Sequence, residues 1–334
     1  MIVNRPGEGS FAGIPTFAKL PLVLEPAELA GVDVAILGAP MDETVSNRPG
    51  SRYGPRAIRQ ADEASGLPPS RPHMLLGVDP FAMLRVVDYG DAETIPGDTA
   101  RSHDAIRQRV AEICAAGAIP IVLGGDHSIA DPNMTAVAEH YGPGTVGVIH
   151  FDAHADTASD LAGVERSHGT PMRLVVDRGS IPGDRFLQVG LRGFWPEPPE
   201  FAWMREVGFR WWTAYELDER GFDVCLAEVI EAARGWEHVF LSIDIDSLDP
   251  AFAPGTGTPV PGGLTTRELN RATRRITSEL PVRAIELVEV APAYDPSGNI
   301  TAVAANTLVL EALSGLALQR SGQPARPELD GRRR

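Results

Sequence analysis

The sequence predicts an α/β fold: three layers, α-β-α, built around a mostly parallel central sheet. Two observations predict it. From about residue 32, short Val/Ile/Leu-rich runs alternate with longer amphipathic stretches, the pattern of strands joined by helical crossovers. The apolar runs are continuous rather than alternating, as expected for strands covered on both faces. A third observation agrees: the chemistry-bearing motifs follow directly after such runs, and in open parallel sheets ligands gather at the carboxyl ends of strands.

Taken in order, residues 32–37, 84–87, 120–123, 145–151, 186–189, 238–245 and 282–290 read as buried strands. Between them, 104–116, 132–140, 199–207, 223–234 and 266–278 carry helical spacing. Asp131-Pro132 and Thr265 or Thr266 ahead of Glu268 read as helix starts. A last apolar helix, 300–318, should pack across the sheet. With 34 glycines and 29 prolines, the chain has material for many tight loops at strand ends. No repeat or linker divides it, so one domain is expected over 1–334, with a surface arm over about 1–30 and a flexible tail over about 320–334, its terminal arginines solvated.

Hydrophobic residues make up 43% of the chain, ample for a core and contrary to disorder. The formal charge of −15 argues against nucleic acid or an anionic membrane surface as a partner. Cys114 and Cys225 are the two cysteines and lie in helical patterns without CxxC spacing, so a disulfide framework or thiolate metal site is not expected. The absence of a charged-then-apolar leader and of a transmembrane-length apolar stretch gives a cytoplasmic expectation.

Three segments carry the chemistry. Phe151-Asp152-Ala153-His154-Ala155-Asp156 and Ser242-Ile243-Asp244-Ile245-Asp246 place metal-capable side chains at every second position, which in an extended strand directs them to one side. Leu123-Gly124-Gly125-Asp126-His127-Ser128 adds an imidazole after another apolar run. A lone Asp-x-Asp is most often a cap or loop acceptor. Together, however, His127, Asp152, His154, Asp156, Asp244 and Asp246 supply two imidazoles and four carboxylates. Mixed N/O donors suit Mn, Fe, Co, Ni or Zn better than Ca or Mg, and bridging carboxylates could hold two ions roughly 3.5–4 Å apart. A water shared by such a pair is acidified from far above neutrality toward a pKa of roughly 7.

At these residues the sequence resembles the ureohydrolase (arginase/agmatinase) family over nearly the whole chain. Gly124–Ser128, Asp152–Asp156 and Ser242–Pro250 match its three metal motifs. The agmatinase-type branch is suggested by Ala251-Phe-Ala-Pro-Gly-Thr-Gly-Thr-Pro259 with Gly262-Gly263, Gly13–Phe17, Arg48-Pro-Gly50 with Gly54-Pro-Arg56, His168-Gly-Thr-Pro171 and Glu289-Val-Ala-Pro-Ala-Tyr-Asp295. The resemblance implies an arginase-like fold and a pair of Mn2+ ions per subunit, with Ni2+ or another divalent transition metal as an alternative. Asp152 and Asp244 would bridge, His127 and Asp156 completing one site and His154 and Asp246 the other. It further implies that Glu289 binds the guanidinium, that His168 shuttles a proton or touches substrate, and that Asp156 can pass a proton to the leaving amine. Hydroxide held between the ions would attack the guanidinium carbon, releasing urea and an amine. Homotrimers or homohexamers are the family's usual assemblies. Asp126, Asp249 and the pair Asp88/Asp91 are expected to fix loops or support ligands.

The loops around 41–48 and 157–167 depart from common agmatinase-type patterns, leaving the substrate's tail open. Glu43 or Glu165 would attract an ammonium tail, as in agmatine. Arg166 or Arg192 would clamp a carboxylate, as in a guanidino acid such as 4-guanidinobutanoate. Other classes remain beside this one: a formimino or amide hydrolase of related fold, and a non-catalytic homologue.

Overall fold

The computed structural model describes residues 11–61 and 72–322. Eight parallel strands form one sheet: β1 (Val34–Ala39), β2 (Val86–Asp91), β3 (Ile119–Gly124), β4 (Val146–Phe151), β5 (Phe186–Leu191), β6 (Arg210–Thr213), β7 (His238–Asp244) and β8 (Val282–Val288). Their order across the sheet is β2-β1-β3-β8-β7-β4-β5-β6. Seven of these match the expected runs. The eighth, β6, is an edge strand of four residues, Arg-Trp-Trp-Thr, too short and too polar at its start to stand out as an apolar run.

Side chains alternate along the strands into two cores. Val34 and Ile36 enter one, Ala35 and Leu37 the other. The first core is covered by the helices Gly54–Gln60, Ala214–Arg220, Phe222–Ala233, Thr266–Glu279 and Ile300–Ser321. The second is covered by Thr99–Ala115, Ala130–Tyr141, Pro171–Asp177 and Pro198–Val207. The result is the three-layer arrangement expected. Thr265 and Glu268 form the capping box that starts Thr266–Glu279. Asp98 caps Thr99–Ala115 five residues ahead of the expected start.

The helix Ile300–Ser321 is long and apolar enough to cross a membrane by length and hydropathy, but 67% of its most apolar window is buried within the fold. It lies so close to Thr266–Glu279 that a Cβ on Gly315 would fall 2.0 Å from Thr277 Oγ1. Cys114 and Cys225 are buried and unpaired, as expected.

Within the expected N-terminal arm, residues 17–29 are not simply laid on the surface. Phe17, Val23 and Leu29 are fully buried, and Val23 N–H donates to Asp88 O while Asp88 N–H donates to Pro21 O. The chain there runs along the free edge of β2 and satisfies it. The arginines at 332–334, expected in a solvated tail, lie outside the described residues.

Candidate metal centre

All strands being parallel, their carboxyl ends share one edge of the sheet, and the four central strands β3, β8, β7 and β4 deliver the candidate residues there. His127 follows β3, Glu289 follows β8, Asp244 ends β7, and Asp152 follows β4. The alternating spacing acts differently from an extended strand. Asp152 Oδ1 accepts from His154 N–H (2.6 Å), Asp244 Oδ1 from Asp246 N–H (2.7 Å), and Asp126 Oδ1 from Ser128 N–H (3.0 Å). Each aspartate thus closes a tight turn on the residue two positions on, curling the chain around the site.

His127 Nδ1 lies 2.8 Å from Asp156 Oδ2, 3.2 Å from Asp152 Oδ2 and 3.3 Å from Asp244 Oδ2. It is buried and has no properly angled hydrogen-bond partner. His154 Nδ1 lies 3.0 Å from Asp246 Oδ2 and 3.4 Å from Asp152 Oδ1. Two overlapping groups therefore form, His127 with His150, Asp152 and Asp156, and His154 with Asp152 and Asp246, sharing Asp152. Asp244 lies against the first group through His127 and against Asp246 through its turn.

The electrostatics call for added positive charge. Burial, together with the charges of Asp246 and Asp152, pushes Asp244 well above the usual carboxylate range. Burial also opposes ionisation of Asp152, yet His127, His150 and His154 hold it well below that range. Burial disfavours the cationic form of His127 and His154, but the surrounding carboxylates raise both well above the ordinary imidazole value. A buried set of four acids is costly unless cations compensate it. An orphan imidazole nitrogen facing three carboxylate oxygens fits a divalent ion between them.

Residues beneath the donors fix their orientation. Gln188 on β5, His150 on β4, Ser242 on β7 and Glu286 on β8 are paired in register, forming one polar row across four adjacent strands. All four are fully buried. Ser242 Oγ donates to Glu286 Oε1 (2.8 Å) and so receives His127 Nε2–H at 3.0 Å; Asn133 Nδ2 donates to Glu286 Oε2 (2.7 Å). This leaves the lone pair of His127 on Nδ1, toward the carboxylates. His150, Gln188, Glu286 and Asn133 were not singled out from the sequence. His150 and Ser242 each stand two residues before a donor aspartate, which was the available local signal.

Above the donors lies a cavity of about 220 Å³ lined by Ser46, His154, Asp156, Leu161, His168, Trp195 and neighbours. Glu289 Oε1 accepts from His127 N–H (2.9 Å) and lies 3.3 Å from His168 Nδ1. His168 Nε2 lies 2.9 Å from Ser46 Oγ and 3.1 Å from Ser46 N. Burial alone would lower the His168 pKa, but Glu289 outweighs it and lifts it to about 9. Asp156 and Glu289 both hold positive φ, +53° and +64°, an arrangement costing of order 1–3 kcal/mol for a residue other than glycine. Neighbouring backbone bonds impose it: Glu289 N–H donates to Gly125 O (2.9 Å) and Met172 N–H to Asp156 O (3.1 Å).

A larger cleft of about 580 Å³ lies between 214–222 and 262–268, away from these donors. Chemistry rather than size identifies the site.

Arg166 is not brought to this cavity. Its side chain lines a separate cleft with His103, Asp131 and Arg178, so the expected contact with the substrate tail is corrected. The segment 161–164 turns back on itself through paired Leu161 and Val164 backbone bonds, and Arg166 is exposed beyond that turn. Arg192 is equally unsuited to clamp a carboxylate. Its guanidinium donates to the carbonyls of Gly190, Asp246, Ser247, Leu248 and Val260, riveting the turn that carries Asp246. Glu43 pairs with Arg52. Asp126 and Asp249 hold loops, accepting from Thr44 and Ser128, and from Ala251, Gly262 and Gly263. Asp88 and Asp91 bind Arg59 in an ion pair beside β2.

A family model described as the arginase family matches residues 32–315. The chain belongs to the arginase family. Among its relatives, the guanidinobutyrase of Pseudomonas aeruginosa is 40% identical over 299 residues, 89% of this chain and 91% of that protein. The mitochondrial agmatinase of Gallus gallus is 41% identical over 298 residues, 89% and 84% of the two chains. Among solved structures, the proclavaminate amidino hydrolase of Streptomyces clavuligerus superposes with a TM-score of 0.85 at 37% identity, covering 93% of this chain and all of that one. This arginase-family chain thus shares its sheet and layers with relatives along nearly the whole of their length.

Proposed function

We propose that this protein is a metal-dependent amidinohydrolase that cleaves a small guanidino compound to urea and an amine. The observation that carries the reading is a pair of overlapping donor groups at a cavity lined by His154, Asp156, Asp244 and His168, with the buried Glu289 carboxylate 3.3 Å behind His168 Nδ1. His127 with Asp156 and His154 with Asp246 would each hold one divalent ion, with Asp152 and Asp244 bridging. Mn2+ is proposed for both, since the donors are carboxylates and imidazoles without thiolate. When bound, such a pair supplies hydroxide at neutral pH and stabilises negative charge developing on the substrate.

The chain's own residues would do the rest. Both lone pairs of Glu289 Oε1 face His127 N–H and His168, so Oε2 is the oxygen left to receive a guanidinium N–H. That contact fixes the planar group over the donors and favours a cation. Asp156, on its strained turn at the cavity wall, would pass a proton to the departing amine. His168, between Glu289 and Ser46, would orient the carboxylate and hold or release a proton at Nδ1. Leu161 and Trp195 form an apolar wall that limits access of water.

No lysine or arginine lines this cavity among the described residues, and its acids are Asp156 and Asp244. Agmatine and a guanidino acid such as 4-guanidinobutanoate therefore both remain in the proposed class, with a tail short enough for about 220 Å³. A homotrimeric or homohexameric assembly and a cytoplasmic location belong to the same proposal. Urea release by the Mn2+-loaded protein across guanidino compounds with cationic, anionic and neutral tails tests it. Release from at least one supports the reading. Release of formamide and an amine from a formimino compound, with no urea from any guanidino compound, would replace it.

A further inference from the structure

The polar row beneath the site has a direction of its own. Gln188 Nε2 donates to Ala155 O (2.7 Å) and lies 3.0 Å from His150 Nδ1. An amide N–H facing Nδ1 requires the lone pair there, which puts the imidazole proton on Nε2. That proton points at Asp152 Oδ2, 2.8 Å away. Asp152 Oδ1 meanwhile accepts from His154 N–H at 2.6 Å. A carboxylate has about four lone-pair directions. Protein donors take one on each oxygen, and the remaining pair splits: Oδ2 toward His127 Nδ1, 3.2 Å away, and Oδ1 toward His154 Nδ1, 3.4 Å away.

We propose that Gln188 and His150 are positioning residues that commit Asp152 to bridging: the amide sets the imidazole tautomer, and the imidazole proton leaves one lone pair of Asp152 for each metal position. The proposal rests on the two-ion reading above. His150 belongs by distance to the same cluster as His127, Asp152 and Asp156. Its two nitrogens are nevertheless occupied, by Gln188 on one side and Asp152 on the other, so it acts on the ion through Asp152. Gln188 touches no donor side chain, yet through Ala155 O it also tethers the turn between His154 and Asp156. The effect should fall on the His127 side, since Oδ2 is the oxygen that His150 holds.

The test is Mn2+ binding to the demetallated full chain by calorimetry or chelator competition, with the exchange-coupled electron paramagnetic resonance signal of the ion pair as a second readout. Wild type should bind two ions; failure of wild type to do so overturns the two-ion reading itself and is thereby distinguished. His150→Leu should weaken one of the two ions by about 10–100-fold, abolish the coupled signal, and lower kcat at unchanged KM. His150→Gln, which keeps an N–H at similar reach, should restore binding to within about threefold, and Gln188→Leu should fall between. Wild-type affinities and signal in both His150→Leu and Gln188→Leu would overturn the proposal. So would a His150→Gln variant as poor as His150→Leu beside an unaffected Gln188→Leu, because His150 would then be a metal ligand. Should His150→Leu fail to fold, Gln188→Leu decides: wild-type affinity for both ions overturns the proposal.

Discussion

Replacing Glu289 by glutamine changes one oxygen to NH2 at nearly constant volume, and the structure dictates which way the amide must turn. His127 N–H donates to Oε1 from a buried position, so the amide oxygen stays there. The new NH2 then stands where Oε2 stood, presenting donors to the N–H groups of a guanidinium. A hydrogen bond to a charged group contributes about 1.5–3 kcal/mol, and the opposed donors add to the loss. A total near 3 kcal/mol corresponds to roughly a hundredfold fall in kcat/KM, at 1.36 kcal/mol per factor of ten. Glu289 lies outside the two donor groups, so the metal content should not change. The assay is urea release with parallel metal analysis. A variant that keeps kcat/KM within about threefold, or one that loses its metal along with its activity, would refute this placement of Glu289.

Arg166→Ala should leave kcat and KM for both agmatine and guanidino acids within about twofold in steady-state assays, because the side chain lines another cleft. His103 is buried, and burial first, then the charges of Arg166 and Arg178, depress its pKa to about 4. The folded state therefore binds fewer protons than the unfolded one between about pH 4 and 6.5, so stability should fall on acidification through that window by about 2–3 kcal/mol. Denaturant titrations should show a shallower fall for His103→Gln. Chelation should lower the melting temperature, and Mn2+ at a hundred times its Kd should restore about 2.7 kcal/mol; scanning calorimetry with and without the ion checks this. Gly125→Ala should prevent correct folding, read by near-UV circular dichroism, because the new Cβ would fall 1.7 Å from Met41 O.

Much of the fold was legible because a buried parallel sheet writes itself as separated apolar runs. The edge strand Arg210–Thr213 was not, since four residues with an exposed arginine carry no such run. The donor set was legible from spacing, although the reason for the spacing was not. Asp152, Asp244 and Asp126 close turns with their own side chains, and an extended strand would have presented the same pattern. Arg166 was misplaced because nearness to His168 along the chain says nothing of direction once the chain turns at 161–164. The row Gln188–His150–Ser242–Glu286 depends on register between strands far apart in sequence. Its trace in the sequence was a lone polar residue inside each of two apolar runs, Phe-Leu-Gln-Val-Gly-Leu and Ala-Ile-Glu-Leu-Val.

Whether His127, Asp152, His154, Asp156, Asp244 and Asp246 hold a pair of ions is decided by anomalous diffraction from crystals of the Mn2+-loaded protein. Two peaks per chain are expected, roughly 3.5–4 Å apart, with Asp152 and Asp244 between them. A single peak, or a pair bound away from these six residues, would contradict the two-ion site.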